Sequence, residues 1–275
     1  MKPSNSRPIG VFDSGVGGLT VLKAIRARLP REALVYLGDT ARLPYGTKSP
    51  ASVLNYALQA ARHLQQRDIK ALVIACNTAS AVALDALAAE LAPLPVLGVV
   101  EPGAQAAVTA TPAGRHLVLA TEATVRLGAY RHAIAALDPA AAVCELACEL
   151  MVALAEEGWT HGAIADAVVR RYLADGQAMA AHFAPQSVIL GCTHFPLLRA
   201  RVRAAVGDDV AIVDSAGTTA AALETMLVSA NLLAPADGEG SLHLLATDGA
   251  RRFARVGGAF LGSALAADDI ELIDL

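Results

Sequence analysis

Short apolar runs alternate along this chain with longer segments whose apolar positions recur at helical spacing. The runs fall at 9–12, 33–37, 71–75, 96–100, 116–120, 142–146, 187–190, 211–214 and 242–246, each too short for a helix. Helical spacing covers 19–29, 51–66, 79–91, a stretch ending at 137, then 151–157, 162–175, 196–206, 218–230 and 250–261. Strands alternating with helices in this way predict an α/β chain with mainly parallel sheets and right-handed crossovers.

Two of the runs end alike. Leu72-Val73-Ile74-Ala75 delivers Cys76, then Asn77, Thr78 and an alanine-rich helix. Ser187-Val188-Ile189-Leu190-Gly191 delivers Cys192, then Thr193, His194 and another helix. Sites in such folds lie at the carboxyl ends of strands. The repetition therefore predicts two similar three-layer α/β domains with the active site in the cleft between them. The first lobe is expected over 1–99 plus 210–275 and carries Cys76. The second is expected over 100–209 and carries Cys192.

Composition narrows the class. Of 275 residues, 55% are hydrophobic and 17% charged, which describes a globular chain rather than a disordered one. Aromatics make up only 4%, so alanine, leucine and valine must build the core. A mean hydropathy of +0.46 raises a membrane reading, but charges and prolines interrupt every apolar stretch well before the roughly 18 to 20 residues a span requires. A net charge of -4 without a basic tract argues against direct nucleic-acid binding. The polar leader Met1-Lys2-Pro3-Ser4-Asn5-Ser6-Arg7-Pro8 has no apolar signal region. Together with four cysteines, this predicts a cytoplasmic protein with free thiols.

A thiol titrates near about 8.5 and is tuned by helix N-termini and neighbouring imidazoles, so it can both take and give a proton. One buried cysteine is ordinarily a small hydrophobe; two at equivalent strand ends, each followed by polar residues, point to paired acid/base groups. Cys144 and Cys148 lie in an apolar stretch without a nearby histidine and read as core thiols. No metal site is predicted. Asp13-Ser14-Gly15-Val16-Gly17-Gly18 departs from the dinucleotide fingerprint, because Thr20 stands where the third glycine belongs. It reads instead as a tight turn bringing N–H groups and Ser14 toward an anionic ligand. Asp13 could exchange a proton with Cys76 or cap the following helix. His194 could serve a ligand or merely cap a helix. Asp39 and Tyr45-Gly46 follow the second strand and so reach the same rim. The lysines are Lys2, Lys23, Lys48 and Lys70; none follows a strand end, as a pyridoxal Schiff base would require.

Several motifs then occur in a telling order: Val11-Phe12-Asp13-Ser14-Gly15-Val16-Gly17-Gly18-Leu19, Gly38-Asp39-Thr40, Pro44-Tyr45-Gly46 and Ala75-Cys76-Asn77-Thr78-Ala79-Ser80. Gly98-Val99-Val100-Glu101-Pro102-Gly103, Leu190-Gly191-Cys192-Thr193-His194-Phe195-Pro196-Leu197 and Phe260-Leu261-Gly262 complete the series. With these the chain resembles the glutamate racemases, cofactor-independent enzymes that make D-glutamate for peptidoglycan. The resemblance implies L- and D-glutamate as substrates and no cofactor. It assigns Cys76 and Cys192 as the two proton donors/acceptors, the first acting on the D-enantiomer and the second on the L-enantiomer. Asp13 and His194 would assist them, and Glu156 would lie near the second thiol. Asp13, Ser14, Tyr45, Gly46, Asn77, Thr78, Thr121, Thr124, Thr193 and His194 would hold the substrate. A homodimer is also implied, as is the association with DNA gyrase found in some members. The chain departs from the family at Glu149, where proline is usual, and at Leu127, where serine is common. An aspartate or hydantoin racemase would share the paired thiols; a gyrase-binding regulator that kept the cleft is the competing reading from another class.

Overall fold

A computed structural model describes residues 4–179 and 183–275 of the chain. In order, β1 (Ile9–Asp13) leads to α1 (Leu19–Arg28), β2 (Leu34–Gly38), α2 (Pro50–Gln66), β3 (Ala71–Ile74), α3 (Asn77–Leu91), β4 (Val96–Gly98) and α4 (Val100–Ala110). Then come β5 (Arg115–Ala120), α5 (Glu122–Arg126), α6 (Ala129–Leu137), β6 (Ala142–Ala147), α7 (Glu149–Glu156), α8 (Ala163–Met179), β7 (Ser187–Gly191), α9 (Arg199–Val206) and β8 (Ala211–Asp214). The chain closes with α10 (Ser215–Ser229), β9 (Leu242–Ala246), α11 (Ala250–Leu261) and β10 (Ile270–Leu272).

Among the described residues the strands form a six-stranded sheet, order β10-β9-β2-β1-β3-β4, and a four-stranded sheet, order β6-β5-β7-β8. Every pairing in them is parallel. Helices cover both faces of each sheet, which is why the strand runs read as continuously apolar rather than alternating. On β1, Ile9 and Val11 join the core with α1, α10 and α11, while Phe12 joins the core with α2 and α3. Ala57, Ala60, Ala61, Ala79 and Ala83 are fully buried where α2 and α3 meet. Small side chains let these helices pack closely, while each fully buried leucine or isoleucine contributes about 1.5–3 kcal/mol.

The connections decide where a site can form. The chain leaves β1 for α1 on one face and leaves the adjacent β3 for α3 on the other. In the second sheet, β5 and β7 part in the same manner, toward α6 and α9. Such a divergence opens a crevice at the carboxyl ends of the two strands. Cys76 follows β3 and Cys192 follows β7, so each crevice receives one thiol.

Three expectations change. Strand 211–214 was expected in the first lobe, from 210 onward; β8 instead pairs with β7, so the second sheet extends through Asp214. The stretch beginning at Val100 is a helix, α4, not a strand end closed by a turn. Pro102 sits in its first turn, where the missing N–H has no intrahelical partner to lose. Finally, β10 adds a strand beside β9. Its exposed Glu271 and preceding aspartates hid it, as charges commonly do on an edge strand.

Candidate active site

The first crevice is built by β1, β2 and β3. Cys76 is the N-cap of α3, and its sulfur accepts the Ala79 N–H at 3.4 Å. The helix therefore begins at Asn77, two residues earlier than the sequence pattern suggested. Asp13, at the tip of β1, does not cap α1; Gly18 occupies that position. One Asp13 oxygen instead accepts the Gly15 N–H at 2.9 Å, and the other is buried with no protein partner. Burial pushes the Asp13 carboxyl above its ordinary value. Burial, then the nearby Asp13 charge, push the Cys76 thiol up to about 12. Cys76 is thus held as a thiol, with Ser14 beside it.

Beyond β2, Asp39 is wholly buried and organises the loop that follows. Its carboxylate accepts hydrogen bonds from the Tyr45 hydroxyl, Arg42 Nε at 2.7 Å and Thr247 Oγ1 at 2.9 Å. Tyr45 and Gly46 are thereby set at the rim. A Cβ on Gly46 would press on Thr121 from the other sheet, so only glycine permits that approach.

The second crevice carries a connected series of polar groups. Cys192 Sγ lies 3.7 Å from His194 Nδ1, and His194 Nε2 lies 3.2 Å from Glu156 Oε1. Glu156 Oε2 accepts from Arg252 on α11 at 2.7 Å. The His194 ring is buried and stands edge-on to Phe260, with centroids 5.0 Å apart. Burial works against a charged imidazole there, but the hydrogen bonds to Cys192 and Glu156 outweigh it and raise His194 to about 10. The hydrogen bond from His194 in turn holds the Glu156 carboxyl below its ordinary value. A protonated ring in this place donates on both sides, one of them toward the Cys192 sulfur.

The two crevices face each other across one pocket. Ser14, Tyr45, Gly46, Cys76, Asn77 and Thr78 line it from the first sheet's side. Thr121, Glu156, Cys192, Thr193 and His194 line it from the second. Two expected residues stand behind this lining. Asp13 lies beneath the Gly15 turn, and Thr124 is wholly buried, bonded to Thr121 at 3.1 Å and Thr78 at 3.3 Å. Thr78 and Thr121 themselves meet at 2.9 Å, a contact between the two sheets. Thr20 Oγ1 makes another, donating to the Thr193 carbonyl at 3.0 Å.

Residue-type reasoning missed several participants. Glu149 and Val152 line the pocket from α7, and Glu149 also accepts the Glu122 N–H at the start of α5. The departure from proline at 149 therefore falls on the site itself. Leu127, the other departure, follows α5 and lies outside the pocket lining. Arg252 was legible only as one polar position of an amphipathic helix. Cys148 is a buried core thiol and Cys144 is partly buried; neither lines the pocket. Among the described residues, no helix is long and apolar enough to cross a membrane.

Comparison with known proteins gives a consistent result. The Asp/Glu/Hydantoin racemase family model matches residues 10–223. A glutamate racemase from Geobacter metallireducens is 48% identical over 259 residues, covering 94% of each chain. Among solved structures, glutamate racemase from Bacillus anthracis superposes with a TM-score of 0.91 at 35% identity, over 98% of both chains. The enzyme from Francisella tularensis, solved in complex with D-glutamate, gives 0.88 at 34% identity, again over 98% of both.

Proposed function

The chain belongs to the Asp/Glu/hydantoin racemase family and is an amino-acid racemase, and from that premise we propose that it interconverts L- and D-glutamate by a cofactor-independent, two-thiol mechanism. The observation that carries this reading is the placement of Cys76 and Cys192 at the ends of β3 and β7, on opposite sides of one pocket. Inversion at Cα removes a proton from one face and returns one to the other, so a base and an acid must flank the substrate.

The two sides differ in their resting electrostatics. On one side His194 Nδ1 lies 3.7 Å from the Cys192 sulfur, whereas on the other burial beside Asp13 pushes the Cys76 thiol up. L-Glutamate then loses its α-proton to Cys192 and receives one from Cys76 on the opposite face, leaving D-glutamate. The reverse direction starts from the other protonation state, with Cys76 as base and Cys192 as acid. The α-proton is a weak acid, so the developing carbanion needs fixed donors and exclusion of water. The N–H groups at the start of α3 supply donors as that charge develops, while the side chains of Ser14, Asn77, Thr78, Thr121 and Thr193 hold the substrate in place. Thr124 acts through Thr78 and Thr121.

Proton exchange at Cα in D2O tests this assignment, with both enantiomers of glutamate and of aspartate. The expected result is exchange with inversion for glutamate alone; exchange with aspartate alone would move the chain to a sister specificity. Cys76→Ala and Cys192→Ala are each expected to lower racemisation by at least about 10²-fold while remaining folded, since general acid–base groups contribute about 10²–10⁴-fold apiece. Near-normal turnover in either variant would sink the two-thiol mechanism. A cytoplasmic role in peptidoglycan supply follows from the same reading, with rescue of a D-glutamate-requiring bacterium as its check.

A further inference from the structure

Tyr130, on α6, is fully buried although its hydroxyl is polar and it does not line the pocket. Its ring sits in a slot made by two glycines. A Cβ on Gly103 of α4 would lie 3.2 Å from one ring edge, and a Cβ on Gly191 would lie 2.8 Å from the other. Gly191 immediately precedes Cys192. At the far end of the ring, the Tyr130 hydroxyl donates to Asn77 Oδ1 at 2.7 Å. Asn77 immediately follows Cys76. One side chain therefore touches the neighbours of both thiols.

The hydroxyl also decides how the Asn77 carboxamide is turned. Ser215 Oγ lies 3.3 Å from the same Oδ1, so two hydroxyls face the carbonyl end. The opposite end, Nδ2, is buried without a protein partner, and Asn77 lines the pocket. A buried amide N–H₂ with no partner is costly unless a ligand oxygen satisfies it. Burial keeps the Tyr130 phenol protonated by raising it above its ordinary value, so it stays a donor.

We propose, resting on the racemase reading above, that Tyr130 is a positioning residue: it turns the Asn77 N–H₂ toward a substrate carboxylate and braces the two cysteine-bearing strand ends against each other. Asn77 would then bind ground state and transition state alike, and such uniform binding appears in KM rather than kcat. Tyr130→Phe keeps the ring in its slot and removes only the hydroxyl. The expected result is a KM for both enantiomers raised by about tenfold with kcat within about twofold. In an Asn77→Ala background the same change should alter KM by less than about twofold, because the group it orients is gone. An unchanged KM in Tyr130→Phe, or an equal penalty in both backgrounds, overturns the proposal. Should Tyr130→Phe not fold, Ser215→Ala removes the second donor and should raise KM in the same direction by a smaller factor; no rise would again overturn it. A neutron structure of Tyr130→Phe without substrate needs no turnover. The Asn77 amide should be turned over or split between two orientations, and a single unchanged orientation counts against the proposal. Wild-type protein that fails to racemise glutamate would sink the racemase reading alone, leaving the neutron result to judge Tyr130.

Discussion

His194 shows how much one side chain can owe to its neighbours. Its ring bonds a sulfur on one nitrogen and a carboxylate on the other, and it is raised from an ordinary 6.5 to about 10. Between those two values the folded protein keeps a proton that the unfolded chain has released. Stability linked to His194 is therefore fully present below about pH 6.5 and falls as pH rises toward 10. Glu156 has the opposite sign: its carboxyl is depressed, so its contribution is present above the unfolded value of 4.5 and is lost as pH falls through the lowered folded value. Urea midpoints measured across pH should decline from neutrality to pH 10 in the wild type. Glu156→Gln should flatten that decline, because it removes the carboxylate that helps hold the proton. An identical slope in the variant would show that His194 does not need Glu156 to stay charged. Arg252 is half-exposed in this pair, so its bond to Glu156 orients more than it stabilises; exposed pairs give about 0.2–1 kcal/mol.

At the scale of elements, the β1–α1 turn carries the tightest requirement. Gly17 does not have a left-handed backbone, so alanine suits its conformation. The obstacle is space: a Cβ there would collide with Thr193 and with the His194 ring. Gly17→Ala should therefore fold, displace His194 and lower kcat/KM by about 10²-fold, the scale on which a misplacement of about 1 Å costs an enzyme activity. Wild-type kcat/KM from that variant would mean the second crevice can shift without harm. The same turn marks the limit of what sequence could disclose. Apolar runs located β1, β3, β5 and β7 because buried parallel strands leave a continuous signature, and the residues just beyond them, from Asp13 to His194, followed directly. α4 escaped because Pro102 and Gly103 resemble a turn, and only the ring of Tyr130 against Gly103 explains a glycine in that helix. Arg252 and Tyr130 escaped for a different reason. Their partners, Glu156 and Asn77, are 96 and 53 residues away, and no local pattern encodes such pairs.

Taken whole, the molecule closes its pocket with polar contacts that run from one sheet's side to the other: Thr78 to Thr121, Thr20 to Thr193 and Arg252 to Glu156. A substrate bound between them would add its own bonds to both sides. At a hundred times its dissociation constant, glutamate should stabilise the native state by about 2.7 kcal/mol, raising Tm by several degrees, and L-lysine at the same concentration should not. Equal shifts with both amino acids would deny the pocket its selectivity. The chain itself passes between the sheets twice, outward through α4 after β4 and back through α10 after β8, and these two helices pack against each other. A single connector would be a swivel, free to turn in any sense. Two connectors packed side by side oppose that twist. Cys76 and Cys192 thereby keep their places on opposite sides of the pocket.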